Sequence, residues 1–353
     1  MKKIFNIEKK KIGIKQPVFL IAEVGSNHNR DKNTVKKLID CAAKAGFDAV
    51  KFQIYDAKEA FSANETTKDV KLDHLYGLKP WWKVARDIIL MPREWFQEMF
   101  KYVRAAGMIP LSAIHRVEDC RFLLDFGLPA IKIASIDLTY YQLLKKLVQF
   151  KLPMIVSTGM GQANEIKKTM RNLKNWGQKD VALLHCVSCY PPNPEEVNLN
   201  NILNFKSLYN IPVGLSDHSD GVATSIASVA LGVNVIEKHV TLDKNYPGPD
   251  HSFALEPDEM IRLVKEVREV EKSLGHLQRK LSKREIENRK MIRRSLVSKV
   301  TIKKGETINI KKIKFARPGT GIPTYEFNKA EGCKAKCNIE PETIIKWNML
   351  KKK

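Results

Sequence analysis

The sequence predicts an α/β protein: a parallel (β/α)8 TIM barrel followed by a small β-rich domain. Three observations predict it. Residues 18–273 alternate eight short β-rich runs with amphipathic helical stretches. The runs are almost continuously apolar, as parallel strands covered on both faces must be. Successive runs begin 22 to 30 residues apart, the length of one strand–helix unit, with a single exception. Eight such units close into a barrel; the alternative is an open doubly wound sheet.

In chain order the strand candidates are 18–25 (VFLIAEVG), 48–55 (DAVKFQIY), 108–114 (MIPLSAI) and 130–135 (AIKIAS). They continue with 153–159 (PMIVSTG), 181–188 (VALLHCVS), 211–218 (IPVGLSDH) and 235–241 (VIEKHVT). Seven lead directly into a helical pattern, from TVKKLIDCAAKAG after the first to DEMIRLVKEVREVEKSLG after the eighth. Gly46, Gly107, Gly127, Gly177 and Gly232 stand where helices should stop, and Pro92 opens the third. The exception in spacing is an insertion at 56–91 carrying Trp81 and Trp82. A long loop at that end of a barrel suits a lid or a substrate-reading element. The barrel domain is thus expected over 1–278. A charged helical linker follows at 279–294, and residues 295–353 form a β-rich module that would be marginal alone.

Composition narrows the function classes. Of 353 residues 43% are hydrophobic and 28% charged, which excludes a disordered chain. No apolar run approaches the ~20 residues of a membrane span. Lysines in Met1–Lys11 precede no apolar segment with a cleavage site, so the expected location is cytoplasmic. The net charge of +22 is uneven: residues 279–353 hold 22 Lys and Arg against 7 Asp and Glu, an excess of +15. Nucleic acid, anionic membrane or an anionic metabolite would each fit a basic chain. No zinc-finger, RRM or helix-turn-helix pattern is present and the basic tail lacks interleaved aromatics, so neither nucleic acid nor membrane is the expected partner. The six cysteines suit reduced thiols. Cys186–Cys189 and Cys333–Cys337 have zinc-ligand spacing, but Cys186 falls inside an apolar strand and the pairs are far apart in sequence, which argues for buried or semi-buried thiols.

Barrel chemistry sits at the C-terminal strand ends. Those ends carry Glu23, Lys51 and Gln53, Ser112, Lys132 and Ser135, Ser157 and Thr158, His185 and Ser188. Ser216, Asp217 and His218 end the seventh strand, and Glu237, Lys238 and His239 the eighth. A charge inside an apolar strand costs several kcal/mol unless it is paired or used. One would pass as a structural ion pair; Glu23, Lys51, Lys132, His218 and His239 in one ring point to a site. Converging lysines and hydroxyls suit a small molecule bearing carboxylate and phosphate. His218 and His239 can bind a divalent metal, with Glu23 or Asp250 completing the sphere. His185 reads as a core residue, and His28, His74, His115 and His251 as loop residues.

The motifs IAEVGSNHN (21–29), DAVKFQIY (48–55), KIAS (132–135), STGM (157–160) and LLHCVSCYP (183–191) resemble those of the sialic acid synthase family. So do GLSDHS (214–219), EKHVTLD (237–243) and GPDHSFALEP (248–257), while FARPGTG (315–321) resembles the antifreeze-like SAF domain of that family. The resemblance covers most of the chain in order and spacing. It implies condensation of phosphoenolpyruvate with an N-acylated aminosugar aldehyde and water, giving a nine-carbon nonulosonic acid and phosphate. It implies His218 and His239 as ligands of a divalent metal, Mn2+ first, with Mg2+ or Co2+ as substitutes. Lys51 and Lys132 would hold the phosphoenolpyruvate carboxylate, with Ser135, Ser157, Ser188 and Ser216 around the phosphate and Gln53 nearby. Glu23 and Asp250 would bind sugar hydroxyls and Tyr190 would line the pocket. Arg317 would reach into the site of a neighbouring subunit, which implies a domain-swapped homodimer.

Three positions depart from the family pattern. Ala113 stands in place of a hydroxyl, Asp137 in place of a glutamate linked to the water, and Ser188 in place of an asparagine. The acceptor is therefore left open among N-acetylmannosamine, a diacetamido sugar and others, with legionaminic or pseudaminic acid as alternative products. A sibling barrel aldolase using a phosphorylated sugar is the alternative enzyme.

Overall fold

The barrel closes through eight parallel strands, buried along their length except at Gln53 because apolar surface meets them on both faces. The computed structural model describes residues 1–351 and divides into two units, one spanning Met1–Gly275 and a second from His276 on. The barrel strands are β3 (Phe19–Glu23), β4 (Ala49–Ile54), β5 (Ile109–Ile114), β6 (Ile131–Ile133), β7 (Met154–Ser157), β8 (Val181–Cys186), β9 (Val213–Asp217) and β10 (Val235–His239). They are hydrogen-bonded in sequence order, with β10 returning to β3. Helices α1 (Lys32–Ala45), α2 (Phe96–Ala105), α3 (Val117–Leu124) and α4 (Tyr141–Leu147) follow the first of these strands in turn. Then come α5 (Ala163–Asn175), α6 (Asn200–Tyr209), α7 (Ala223–Ala230) and α8 (Pro257–Ser273). Local chemistry sets their ends. Asp31 accepts from the backbone N–H of Asn33 and Thr34 to start α1, and Gly46 ends it at φ 93°, a left-handed turn that costs glycine nothing. The four other glycines expected at helix ends share that positive φ.

Alternation along the strands divides the core in two. One set of side chains, including Leu20, Val50, Phe52, Ile131 and Val156, packs against the helices. The other, including Phe19, Ile21, Ala49, Leu111, Ile155, Leu184 and Val235, fills the barrel. An N-terminal hairpin absent from the strand expectation joins this inner set. Strands β1 (Ile4–Ile7) and β2 (Lys10–Gly13) pair antiparallel, and Phe5, Ile7 and Ile12 pack onto the inner apolar layer. Asn234 donates to the Gly13 carbonyl and Lys10 pairs with Asp48, which ties the hairpin to the N-terminal rim of the barrel.

The 56–91 insertion is short helical turns, Ala57–Ala60, Asp73–Tyr76 and Trp81–Val84, built on its own cluster of Ala57, Trp81, Val84, Ala85, Ile89 and Leu90. Arg116 anchors its start, reaching Glu59 at 3.0 Å and Asp56 at 3.6 Å while also pairing with Asp119 at 2.9 Å. In the second unit, α9 (Lys283–Ile292) is capped by a reciprocal Ser282–Glu285 box and buries no residue, as a solvated linker helix should. Beyond it, strands β11 (Ser295–Ser298) and β12 (Ile313–Ala316) pair antiparallel, as do β13 (Lys334–Ala335) and β14 (Leu350–Lys351). They surround a small core of Leu296, Ile302, Ile308, Ile313, Ile322, Ile339, Ile345 and Leu350.

Candidate active site

Strand alternation sorts the polar residues at the barrel mouth. On β10, Val235 belongs to the inner layer, so Glu237 and His239 face inward with it, and both line the central cavity. Lys238 points the other way, fully buried against Asp217 at 3.1 Å. It forms a structural ion pair in which Asp217 also accepts from the Ser219 and Ser225 hydroxyls. On β8, Cys186 faces the cavity and His185 the helices, where Nε2 meets the Val197 carbonyl at 2.6 Å. His185 is a core residue, as its position suggests.

The cavity has a volume of about 590 Å3. It is lined by Glu23, Lys51, Gln53, Lys132, Ser135, Asp137, Ser157, Ser188, Tyr190, Ser216, His218 and His239. Two expected residues lie apart from this lining. Asp250 stands just behind it, accepting from Ser26 Oγ at 2.9 Å with Oδ2 3.9 Å from His239 Nδ1. Arg317 is exposed on the second unit.

Register explains one cluster. In the parallel ladder His239 lies beside Glu23 and Glu23 beside Lys51, all facing inward. Lys51 Nζ is 2.6 Å from Glu23 Oε2, and Gln53 donates to the other Glu23 oxygen at 2.7 Å. Glu237, which the sequence placed at a strand end without a role, sits between the two lysines, 3.6 Å from Lys51 and 3.4 Å from Lys132. Burial alone would push its carboxyl up, but Lys132 and Lys51 outweigh burial and hold it at about 2. Burial also works against the charge on Lys51, yet two carboxylates keep it above the ordinary lysine range. For Lys132 burial wins and the shift is downward.

Lys132 donates to Ser157 Oγ at 2.7 Å, and the Gly159 N–H donates to Ser135 Oγ at 2.9 Å. Ser188 Oγ is buried without a partner. A Cβ at position 159 would lie 2.2 Å from Ser188 Oγ and 2.7 Å from Ser135 Oγ, so only glycine allows these hydroxyls to converge. A lysine and three hydroxyls, one of them held by the Gly159 N–H, make an anion-binding end.

The other end is aromatic and imidazole. The His218 and His239 rings are 5.3 Å apart, with Tyr190 tilted over His218 at 4.3 Å and Phe253 against His239 at 5.2 Å. His218 Nδ1 bonds the Val187 carbonyl at 2.8 Å, leaving Nε2 as its free lone pair. Burial pushes His239 down to about 3, so its ring is neutral, and its buried Nδ1 has no hydrogen-bond partner. At His218 burial works against the charge, but Cys186 and the Val187 carbonyl outweigh it and move the ring upward. Two oriented imidazoles fit a divalent cation that draws its other ligands from substrate and water. The expected third ligand is not assembled: Glu23 faces Lys51, and among the described residues no three His, Cys, Asp or Glu gather as a metal-binding group.

The loop histidines divide. His28 and His251 are buried, His251 between Thr241 Oγ1 at 2.7 Å and Asn29 Oδ1 at 3.0 Å. His115 lines the cavity, 2.6 Å from Asp137 Oδ2, and sequence reading missed it because it follows the end of its strand.

Similarity to known proteins agrees with this geometry. The NeuB family matches residues 38–279 and the SAF domain residues 293–351. An uncharacterised protein of Methanocaldococcus jannaschii is 40% identical over 96% of both chains. The N,N'-diacetyllegionaminic acid synthase of Campylobacter jejuni is 36% identical over 93% of this chain and 98% of its own. The crystal structure of the N-acetylneuraminic acid (sialic acid) synthetase of Leptospira borgpetersenii superposes with a TM-score of 0.71 at 33% identity. That superposition covers 82% of this chain and 95% of the other. With a barrel and an SAF domain in the same order and a shared identity along nearly the whole length, this chain belongs to the NeuB family.

Proposed function

We propose that the protein is a nonulosonic acid synthase. It condenses phosphoenolpyruvate with an N-acylated aminosugar aldehyde and water, releasing phosphate. One observation carries this reading: a single cavity has an anion-binding end of buried lysines and hydroxyls and a second end of two facing imidazoles. Kinship with a diacetyllegionaminic acid synthase and a sialic acid synthetase supports the reaction class.

Lys51 and Lys132 bind the phosphoenolpyruvate carboxylate from between Glu23 and Glu237, and the hydroxyls of Ser135, Ser157, Ser188 and Ser216 receive its phosphate. Gln53 holds Glu23 in place, and Glu23 with Asp250 takes the sugar hydroxyls. Tyr190 orients His218 and covers the sugar end. When bound at His218 and His239, a divalent cation, Mn2+ first and Mg2+ or Co2+ as substitutes, supplies Lewis-acid polarisation of the aldehyde carbonyl. The chain's part is to hold both reactants in contact and to stabilise the anionic groups throughout. Arg317 of a second copy of the chain completes the sugar end, in a domain-swapped homodimer acting in the cytoplasm.

The test is phosphate release from phosphoenolpyruvate with a panel of 2-acetamido and 2,4-diacetamido hexoses and their phosphorylated counterparts, with and without Mn2+. Turnover that needs both an unphosphorylated aminosugar and the metal is expected. Turnover only with an added sugar phosphate that lacks the acylamino group would replace this reading by the sibling aldolase, and no turnover with any sugar would refute it.

A further inference from the structure

The cavity holds an acid–base pair apart from the lysine–carboxylate cluster and the His218–His239 pair. His115 follows β5, and Asp137 closes the single 3-10 turn, Ser135–Asp137, that follows β6. Nδ1 of His115 lies 2.6 Å from Asp137 Oδ2. A carboxylate can only accept, so Nδ1 carries the proton and the lone pair of the neutral ring is on Nε2. Tyr55 packs edge-on against the ring at 5.4 Å, which fixes its plane. Both residues line the cavity, and the turn bearing Asp137 also bears Ser135, whose hydroxyl belongs to the anion-binding end. The other carboxylates that line the cavity are engaged. Glu23 is held by Lys51 and Gln53, Glu237 by both lysines and Ser216, and Asp56 and Glu59 by Arg116.

We propose that His115 is the general base for the water that enters the reaction, with Asp137 as its positioning residue. This rests on the condensation proposed above. Once C3 of phosphoenolpyruvate has bonded to the aldehyde carbon, C2 is electron-deficient. Water oxygen bonds to C2 while one of its O–H bonds breaks, the electron pair staying on oxygen and the proton passing to His115 Nε2. The Asp137 carboxylate stabilises the imidazolium that forms. The C2–O bond to phosphate then breaks with its electron pair, and the imidazolium returns its proton to that departing oxygen. The second water proton leaves as the C2 hydroxyl becomes a ketone, and it balances the alkoxide made from the aldehyde. Asp137 therefore acts through the imidazole it holds.

The test compares wild type with His115→Ala, His115→Gln and Asp137→Asn, each checked for its wild-type melting temperature. The expected result is a loss of about 100-fold or more in kcat for the His115 variants. The KM for phosphoenolpyruvate should stay within about threefold, as for an interaction made only in the transition state. Added imidazole should restore part of the His115→Ala rate, which a purely structural role would not allow. Asp137→Asn should lower kcat through the wrong ring tautomer, visible as a change in the His115 nitrogen NMR signals. A His115→Gln enzyme with kcat within about threefold of wild type would overturn the proposal, as would a loss in His115→Ala that imidazole leaves untouched. An inactive wild type would instead remove the condensation reading, so the two failures are distinct.

Discussion

Glu237 lies where two buried lysines would otherwise face each other, so the ligand-free cluster sets two carboxyl groups, Glu23 and Glu237, against Lys51 and Lys132. An anion entering this end therefore competes with a resident carboxylate. Glu237→Gln removes that carboxylate and leaves a buried lysine without its partner, at a cost of roughly 3–5 kcal/mol. The ligand-free variant should melt below wild type, and phosphoenolpyruvate without sugar should raise its melting temperature by more than it raises the wild type's, because ligand binding repays the missing charge. Equal ligand-induced shifts, measured by calorimetry, would show that the lysines do not receive the anion. Glu237 was legible in principle: it stands two residues before His239 on one strand, so the two must share a face. The same period places Lys238 among the helices, where it pairs with Asp217. The His115–Asp137 pair was not legible, because it joins residues 22 apart in the segments that follow two neighbouring strands, and no periodic pattern brings those segments together.

At the scale of elements, the eight barrel strands could be read because a parallel strand buried on both faces needs an apolar run, and such runs stand out against amphipathic helices. The N-terminal hairpin could not. Its strands are four residues each, and charged residues fill the turn and flanks, so Phe5, Ile7 and Ile12 are the only large side chains that report burial. Those three cover the inner layer at the end of the barrel opposite the cavity, which makes the hairpin a plug with a stability role and no catalytic one. Ile12→Ala should destabilise the barrel by about 2–5 kcal/mol, the cost of a buried aliphatic truncation and its cavity. Chemical denaturation would read this loss, while the KM for phosphoenolpyruvate should not move. Unchanged stability would mean that the hairpin does not seal the barrel. The insertion shows the reverse partition: its place was visible from spacing, but its own core around Trp81 and its tie through Arg116 were not.

At the scale of the molecule, the +22 charge divides into two kinds. In the barrel, Lys51, Lys132 and Lys238 are neutralised by facing carboxylates, so they contribute local chemistry rather than a long-range field. Most of the excess lies beyond residue 278, and α9, with no residue buried, keeps its basic residues in solvent. Within that segment Arg317 is exposed and carries the proposal that each site is finished by another copy of the chain. Mixing tests this directly. Arg317→Ala and His239→Ala should each be nearly inactive as pure proteins, for different reasons. If Arg317 works in the neighbouring site, unfolding and refolding the two together makes heterodimers in which one site has both residues intact and the other has neither. Random pairing then yields about half heterodimers with one working site of two, so about a quarter of the wild-type rate should return. If Arg317 serves the site of its own chain, every site in the mixture lacks one residue or the other and no activity returns. The rate of the refolded mixture, set against each variant refolded alone, decides between a swapped dimer and two self-sufficient chains.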